Sequence, residues 1–148
     1  VTLKERITED MKAAMRASQK ERLSTIRMLQ AAIKQREVDE RITLDDAQVI
    51  AVVEKMVKQR RESIAQFEQG NRHDLAAREQ AEITLLQGYL PTPLTDAEID
   101  ALIREAISST AAASIKDMGK VMGVVKARAA GRADMGVVSA RIKATLAG

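Results

Sequence analysis

In 148 residues there is no cysteine and no tryptophan, with one tyrosine, one phenylalanine, one histidine and two prolines. Each shortage excludes something. Without cysteine there are no disulfides, thiol nucleophiles or thiolate metal sites. With two aromatic rings there is almost nothing from which to build a base-stacking platform for single-stranded nucleic acid. The core must be aliphatic, with methionine filling its gaps. No apolar run approaches the roughly 20 residues that span a bilayer. The first stretch, VTLKERITEDMK, is charged from Lys4 onward and has no signal-peptide apolar core. These absences predict a cytoplasmic protein with no membrane partner.

What is present reads as helix. Charged residues make up 30%, and Ala, Leu, Ile, Val, Glu, Lys and Arg dominate. A first helix is expected from about Thr2 to Ser18, on Leu3, Ile7, Met11, Ala14 and Met15. A second runs from about Lys20 to Val38, on Leu23, Ile26, Leu29 and Ile33. In TLDD, Thr43 reads as an N-cap with Asp46 three residues on, opening a long third helix to about Gln69. Gly70–Asn71 is expected to end that helix and cap a fourth, which runs to about Tyr89. Both prolines fall in LPTPLT (Leu90–Thr95), where a helix cannot continue. Thr95 and Glu98 then form a capping box for a fifth helix. Two further helices open at the two Asp-Met-Gly triplets. No segment alternates with period two. The expected fold is all-α: residues 1–90 form an N-terminal domain of about four helices, in hairpins or a bundle, and 95–148 a small three-helix C-terminal domain.

The third and fourth helices should fold back on each other about Gly70. Arg60 falls in the apolar stripe of one, and Glu79 and Glu82 in that of the other. Position 60 lands level with position 80. Arg60, joined by Arg61, is therefore expected to pair with Glu79 or Glu82, since a buried carboxylate needs a partner. The reading adopted is a structural ion pair; the alternative is a carboxylate pair for metal or acid–base chemistry. His73, in the first turn of the fourth helix, is expected to be exposed. No nucleophile–base–acid set and no glycine-rich nucleotide motif is present. No catalytic residue, cofactor or metal site is expected.

Charge is unevenly spread. Residues 1–94 carry 16 basic and 15 acidic side chains. Residues 112–148 carry seven basic side chains (Lys116, Lys120, Lys126, Arg128, Arg132, Arg141 and Lys143) against Asp117 and Asp134. These seven are the candidate nucleic-acid contacts. GKVMG (Gly119–Gly123) is not a phosphate loop, because Gly119–Lys120 is followed by valine and no strand precedes it. On a helix, Met118, Val121, Met122, Val125 and Ala129 form an apolar stripe. Gly119, Gly123, Ala127 and Ala130 form a stripe of small residues beside it, and Lys116, Lys120 and Arg128 line the other edge. Each helical glycine costs about 1 kcal/mol against alanine. The cost implies close approach of another backbone: the fifth or seventh helix, or alternatively a nucleic acid. Each Asp-Met-Gly reads as a cap, a core methionine and a glycine permitting close packing, and Gly131 ends the sixth helix.

LSTIRMLQAAIK (Leu23–Lys34), KQRRESIAQFEQGNRHDLAAREQAEITLLQGYLP (Lys58–Pro91), LTDAEI (Leu94–Ile99), KDMGKVMG (Lys116–Gly123) and GRADMGVVSARIKATL (Gly131–Leu146) follow one another over nearly the whole chain. In these stretches the chain resembles the GatB/YqeY family in its stand-alone YqeY-like form. The resemblance implies an all-helical, two-part fold. It also implies a C-terminal part similar to the tail domain of the B subunit of the glutamine-dependent tRNA amidotransferase, which helps that enzyme engage tRNA. The amidase and cradle parts that perform the chemistry have no counterpart here. The function implied is a non-catalytic accessory protein that binds RNA, with tRNA foremost. Two alternatives are a component or regulator of a carbon–nitrogen ligase using glutamine as amide donor, and a helical protein-interaction module without RNA. The partners implied are tRNA or another structured RNA, and amidotransferase subunits or an aminoacyl-tRNA synthetase. In KARAAGRAD (Lys126–Asp134) the family pattern has a lysine where this chain has Ala129–Ala130, which removes one basic contact.

Overall fold

The structure, a computed structural model, describes residues 1–147. These form seven α-helices and a short 3-10 turn, with no strand among the described residues. The chain divides into two compact units, Val1–Leu90 and Pro91–Gly148. Among the described residues no helix is long and apolar enough to cross a membrane.

The first unit holds α1 (Leu3–Arg16), α2 (Lys20–Glu40), α3 (Asp46–Gln69) and α4 (His73–Gln87). Side-chain caps fix where α1 and α3 begin. Thr2 Oγ1 accepts the Glu5 amide at 3.1 Å and Glu5 accepts the Thr2 amide at 3.3 Å, a reciprocal capping box. Helix α3 starts two residues later than its Thr43 pattern predicts. Its cap is Asp45, which accepts the Gln48 amide while Gln48 accepts the Asp45 amide, both at 2.9 Å. The Asp46 carboxylate is engaged elsewhere. It accepts the Leu3 amide at 2.9 Å, tying the start of α3 to the start of α1. Leu44 before the cap and Val49 at the fourth helical position are both buried in the same cluster, the arrangement of a hydrophobic staple.

Between α3 and α4 the left-handed residue is Asn71 (φ 57°) rather than Gly70, whose φ is −87°. Asparagine tolerates that region because its short polar side chain bonds locally. Asn71 therefore turns the chain and does not cap α4, whose first position follows Arg72 without a side-chain cap. The three-residue turn folds α4 back along α3. The core of this unit is aliphatic, as an aromatic-poor chain requires. Ile7, Ile26, Leu29, Val49, Val53, Ile83 and Leu86 are at most 2% exposed. The lone tyrosine closes it: the Tyr89 hydroxyl donates to Asp10 at 2.6 Å, and the Arg6 guanidinium lies 5.0 Å over its ring while donating to the Gly88 carbonyl.

The second unit holds α5 (Asp96–Thr110), the 3-10 turn Ile115–Asp117, α6 (Met118–Ala129) and α7 (Met135–Ala147). Thr95 and Glu98 form the capping box that opens α5, at 3.1 and 3.0 Å. Ala106, Val121, Val125, Ala129, Val138 and Ile142 are all but inaccessible. Full burial of a valine or isoleucine is worth about 1.5–3 kcal/mol, so the four larger ones outweigh two helical glycines at about 1 kcal/mol each. Gly131, with φ 75°, terminates α6 where a side chain would be strained.

Candidate nucleic-acid interface

The two Asp-Met-Gly triplets serve different ends. Asp134 accepts the Gly136 amide at 2.8 Å and caps α7. A Cβ at Gly136 would lie 3.2 Å from that same carboxylate, so the glycine makes room for its own cap rather than for another helix. Asp117 does not cap α6. Its carboxylate turns back to accept the Ala113 and Ser114 amides at 2.9 and 3.3 Å, which holds it well below the usual carboxylate range and fixes the 3-10 turn.

The small-residue stripe of α6 faces solvent. Gly119, Gly123 and Ala127 are exposed, while Val121, Val125 and Ala129 on the opposite side are buried. A Cβ built at Gly119 or Gly123 would meet nothing within 4 Å. The expectation that α5 or α7 packs against these glycines is therefore wrong. The apolar stripe alone makes the helix contacts, and the glycines leave a strip of helix backbone bare. Projected at about 100° per residue, Lys120 borders that strip on one side and Lys126 on the other, with Lys116 leading into it from the 3-10 turn. The edge expected from sequence holds only Lys116, Lys120 and Arg128. The same projection carries the signal for Lys126 next to Gly119.

The seven cations of 112–148 are not one patch. Arg132 is a staple: its Nε donates to the Thr92 carbonyl at 2.9 Å and its own carbonyl accepts the Leu94 amide at 2.7 Å. Arg141 ties α7 to α5, at 2.6 Å from Asp96 and 3.3 Å from Asp100. Arg128 pairs with Glu105 at 2.7 Å, but both side chains are more than half exposed, so that pair contributes little and exchanges readily. Lys120 is 3.9 Å from Asp117, whose carboxylate is already engaged. Lys116, Lys126 and Lys143 are exposed and form no ion pair among the described residues. The carboxylates that quench Arg128 and Arg141 come from α5, which the count over 112–148 leaves out. The whole second unit carries eight basic and six acidic residues.

In the first unit, Arg60 Nε lies 2.9 Å from Glu82 and 4.0 Å from Glu79, with its side chain 13% exposed. Arg61 is exposed and outside this cluster. Burial, and then the neighbouring Glu82 charge, push the Glu79 carboxyl up; Arg60 acts against both. One guanidinium thus serves two carboxylates. His73 is exposed. No group of three or more His, Asp or Glu among the described residues is arranged to hold a metal.

A family model described as Yqey-like protein matches residues 4–146. The chain belongs to the YqeY-like family. Three relatives show how far this member resembles the others. It is 34% identical to Altered inheritance of mitochondria protein 41, mitochondrial, of Pyrenophora tritici-repentis, over 93% of this chain and 77% of the relative. It is 34% identical to the protein of the same name from Lachancea thermotolerans, over 92% and 76%. The Eremothecium gossypii counterpart is 38% identical over 70% of this chain and 60% of its own length. These YqeY-like relatives are named as mitochondrial, which overturns the cytoplasmic location expected from composition. A cysteine-free, weakly basic helical composition is compatible with either compartment, so it carries no address.

Proposed function

We propose that this YqeY-like chain is a non-catalytic RNA-binding protein, with tRNA as its ligand class, and that it grips the phosphate backbone on the solvent face of α6. One observation carries the reading. Two glycines sit in a helix where they weaken it and relieve no internal crowding. A bare helix strip bordered by Lys116, Lys120 and Lys126 admits a sugar–phosphate backbone closely and surrounds it with positive charge. Arg128 lies on the far side of the helix from the strip, paired with Glu105 of α5, and stays outside the contact set. Arg132 and Arg141 are structural and leave the candidate set. The near-absence of aromatic rings favours a structured RNA read through its backbone over stacked single strands.

Binding of this kind is strongly salt-dependent, because each phosphate neutralised releases condensed counterions. Titration of labelled tRNA at two salt concentrations tests it. Affinity that falls steeply with salt supports the proposal, and absence of binding at low salt defeats it.

A further inference from the structure

The solvent side of α2 holds an unusual order of charge. Lys20, Arg27 and Lys34 recur every seven residues, with Ser24 and Ala31 between them, and all five are exposed. Seven residues of helix return to within about 20° of the starting direction, so the cations form one straight row with steps of about 10.5 Å. The row runs along one side of the exposed face, roughly opposite Leu29 and about a third of a turn from Ile26 and Ile33 in the core.

No carboxylate stands in that row. Glu21 and Asp39 lie about a quarter-turn to one side. Glu40 is paired with Arg36, and Glu37 is turned inward to Lys4 at 2.6 Å and the Leu44 amide at 2.9 Å. Lys34 passes near Glu37 and adds to the field on it, but none of Lys20, Arg27 or Lys34 forms an ion pair among the described residues. Arg27 donates to the Met15 sulfur at 3.9 Å. In a segment of near-balanced charge (residues 1–94, 16 basic and 15 acidic), this is local segregation of one sign.

We infer that the Lys20–Arg27–Lys34 row of α2 is a second phosphate-contacting surface, which engages the same class of RNA as α6. The inference rests on the function proposed above and adds a site to it. A membrane is the poorer fit, since an interfacial helix must bury its apolar face in lipid and that of α2 is committed to the core. A protein partner is also the poorer fit, since such interfaces are depleted of lysine and built on aromatic or apolar anchors. Between its charges the row offers Ser24 and Ala31; the exposed apolar side chains of the helix are Met28, about a quarter-turn away, and Val38, one turn beyond Lys34, and neither is an aromatic anchor.

The test uses the full chain with Lys20, Arg27 and Lys34 all changed to glutamine. Glutamine keeps helix propensity at exposed sites, so the helix content by circular dichroism stays as in the parent. Labelled tRNA is titrated between about 50 and 200 mM salt, where three lost phosphate contacts should lower the log–log salt slope by roughly 2–3. Over that range the parent then loses about 16- to 64-fold more affinity than the variant. Changing Glu21 and Asp39 to glutamine should raise affinity, which no fold defect would do. If the triple variant binds as the parent does while a Lys116/Lys120/Lys126 variant fails, the α2 inference is wrong and the α6 reading stands. If the α2 variant fails and the α6 variant binds normally, the α6 reading is wrong and the α2 row is the site. Binding of anionic vesicles that needs the α2 row, with no binding of tRNA, overturns both.

Discussion

Replacing Gly119 and Gly123 together by alanine should make the protein more stable and a poorer RNA binder. Neither glycine has a left-handed φ, and a Cβ at either position points into open space. Alanine therefore adds helix propensity without strain. Gly123 lies mid-helix and should return close to the full ~1 kcal/mol, whereas Gly119 lies in the first turn and should return less. The sum is about 1–2 kcal/mol. For a unit the size of residues 91–148, each kcal/mol moves Tm by about 4–8 °C, so a rise of roughly 4–16 °C is expected in its transition. Calorimetry of the full chain measures it. The same two methyl groups would hold a phosphate backbone away from the helix, and tRNA affinity should fall. A lower Tm would mean that another backbone needs those glycines, which would refute the open-face geometry. A higher Tm with unchanged affinity would show that nothing docks on the strip.

Three further outcomes follow from the geometry. Arg60→Leu leaves Glu79 and Glu82 facing each other, each about a fifth exposed, and should cost about 2 kcal/mol near neutral pH, below the 3–5 of a fully buried pair. Because the Glu79 pKa is raised in the fold, that penalty appears as pH climbs through the carboxylate range and fades below about pH 4; denaturant melts at pH 7 and pH 3.5 that show equal losses would contradict it. Burial and the Asp10 bond push the Tyr89 phenol above its ordinary value near 10. The stability it contributes is present below pH ~10 and is lost as the pH rises toward its folded pKa. With a single tyrosine in the chain, absorbance at high pH should show ionisation delayed until unfolding, and Tyr89→Phe should cost about 1–2 kcal/mol. Gly131→Ala forces a side chain to φ 75° and should lower stability by about 1–2 kcal/mol, the opposite sign to the α6 glycines; a neutral result by thermal melt would argue against the left-handed end of α6.

Much of this fold follows from short-range chemistry. Thr95 with Glu98 marks the start of α5 because both halves of the capping box lie three residues apart. Thr2 with Glu5 carries the same signal. Thr43 misleads because Asp46, the residue that would complete its pattern, is claimed by the Leu3 amide 43 positions away. The state of each cation is equally non-local. Arg128 and Arg141 read as basic tail until α5 supplies Glu105, Asp96 and Asp100. A helical glycine reads alike whether a helix or solvent lies beyond it, so the open face of α6 emerges only with the packing of α5 and α7. The α2 row is legible as a seven-residue period, hidden by the near-zero net charge of the segment around it.

The most direct test changes Lys116, Lys120 and Lys126 to glutamine and titrates labelled tRNA at low and moderate salt against the parent chain. Three lost phosphate contacts predict weaker binding at low salt and a log–log salt slope shallower by about 2–3. An unchanged affinity and slope would contradict the assignment of the α6 face to RNA.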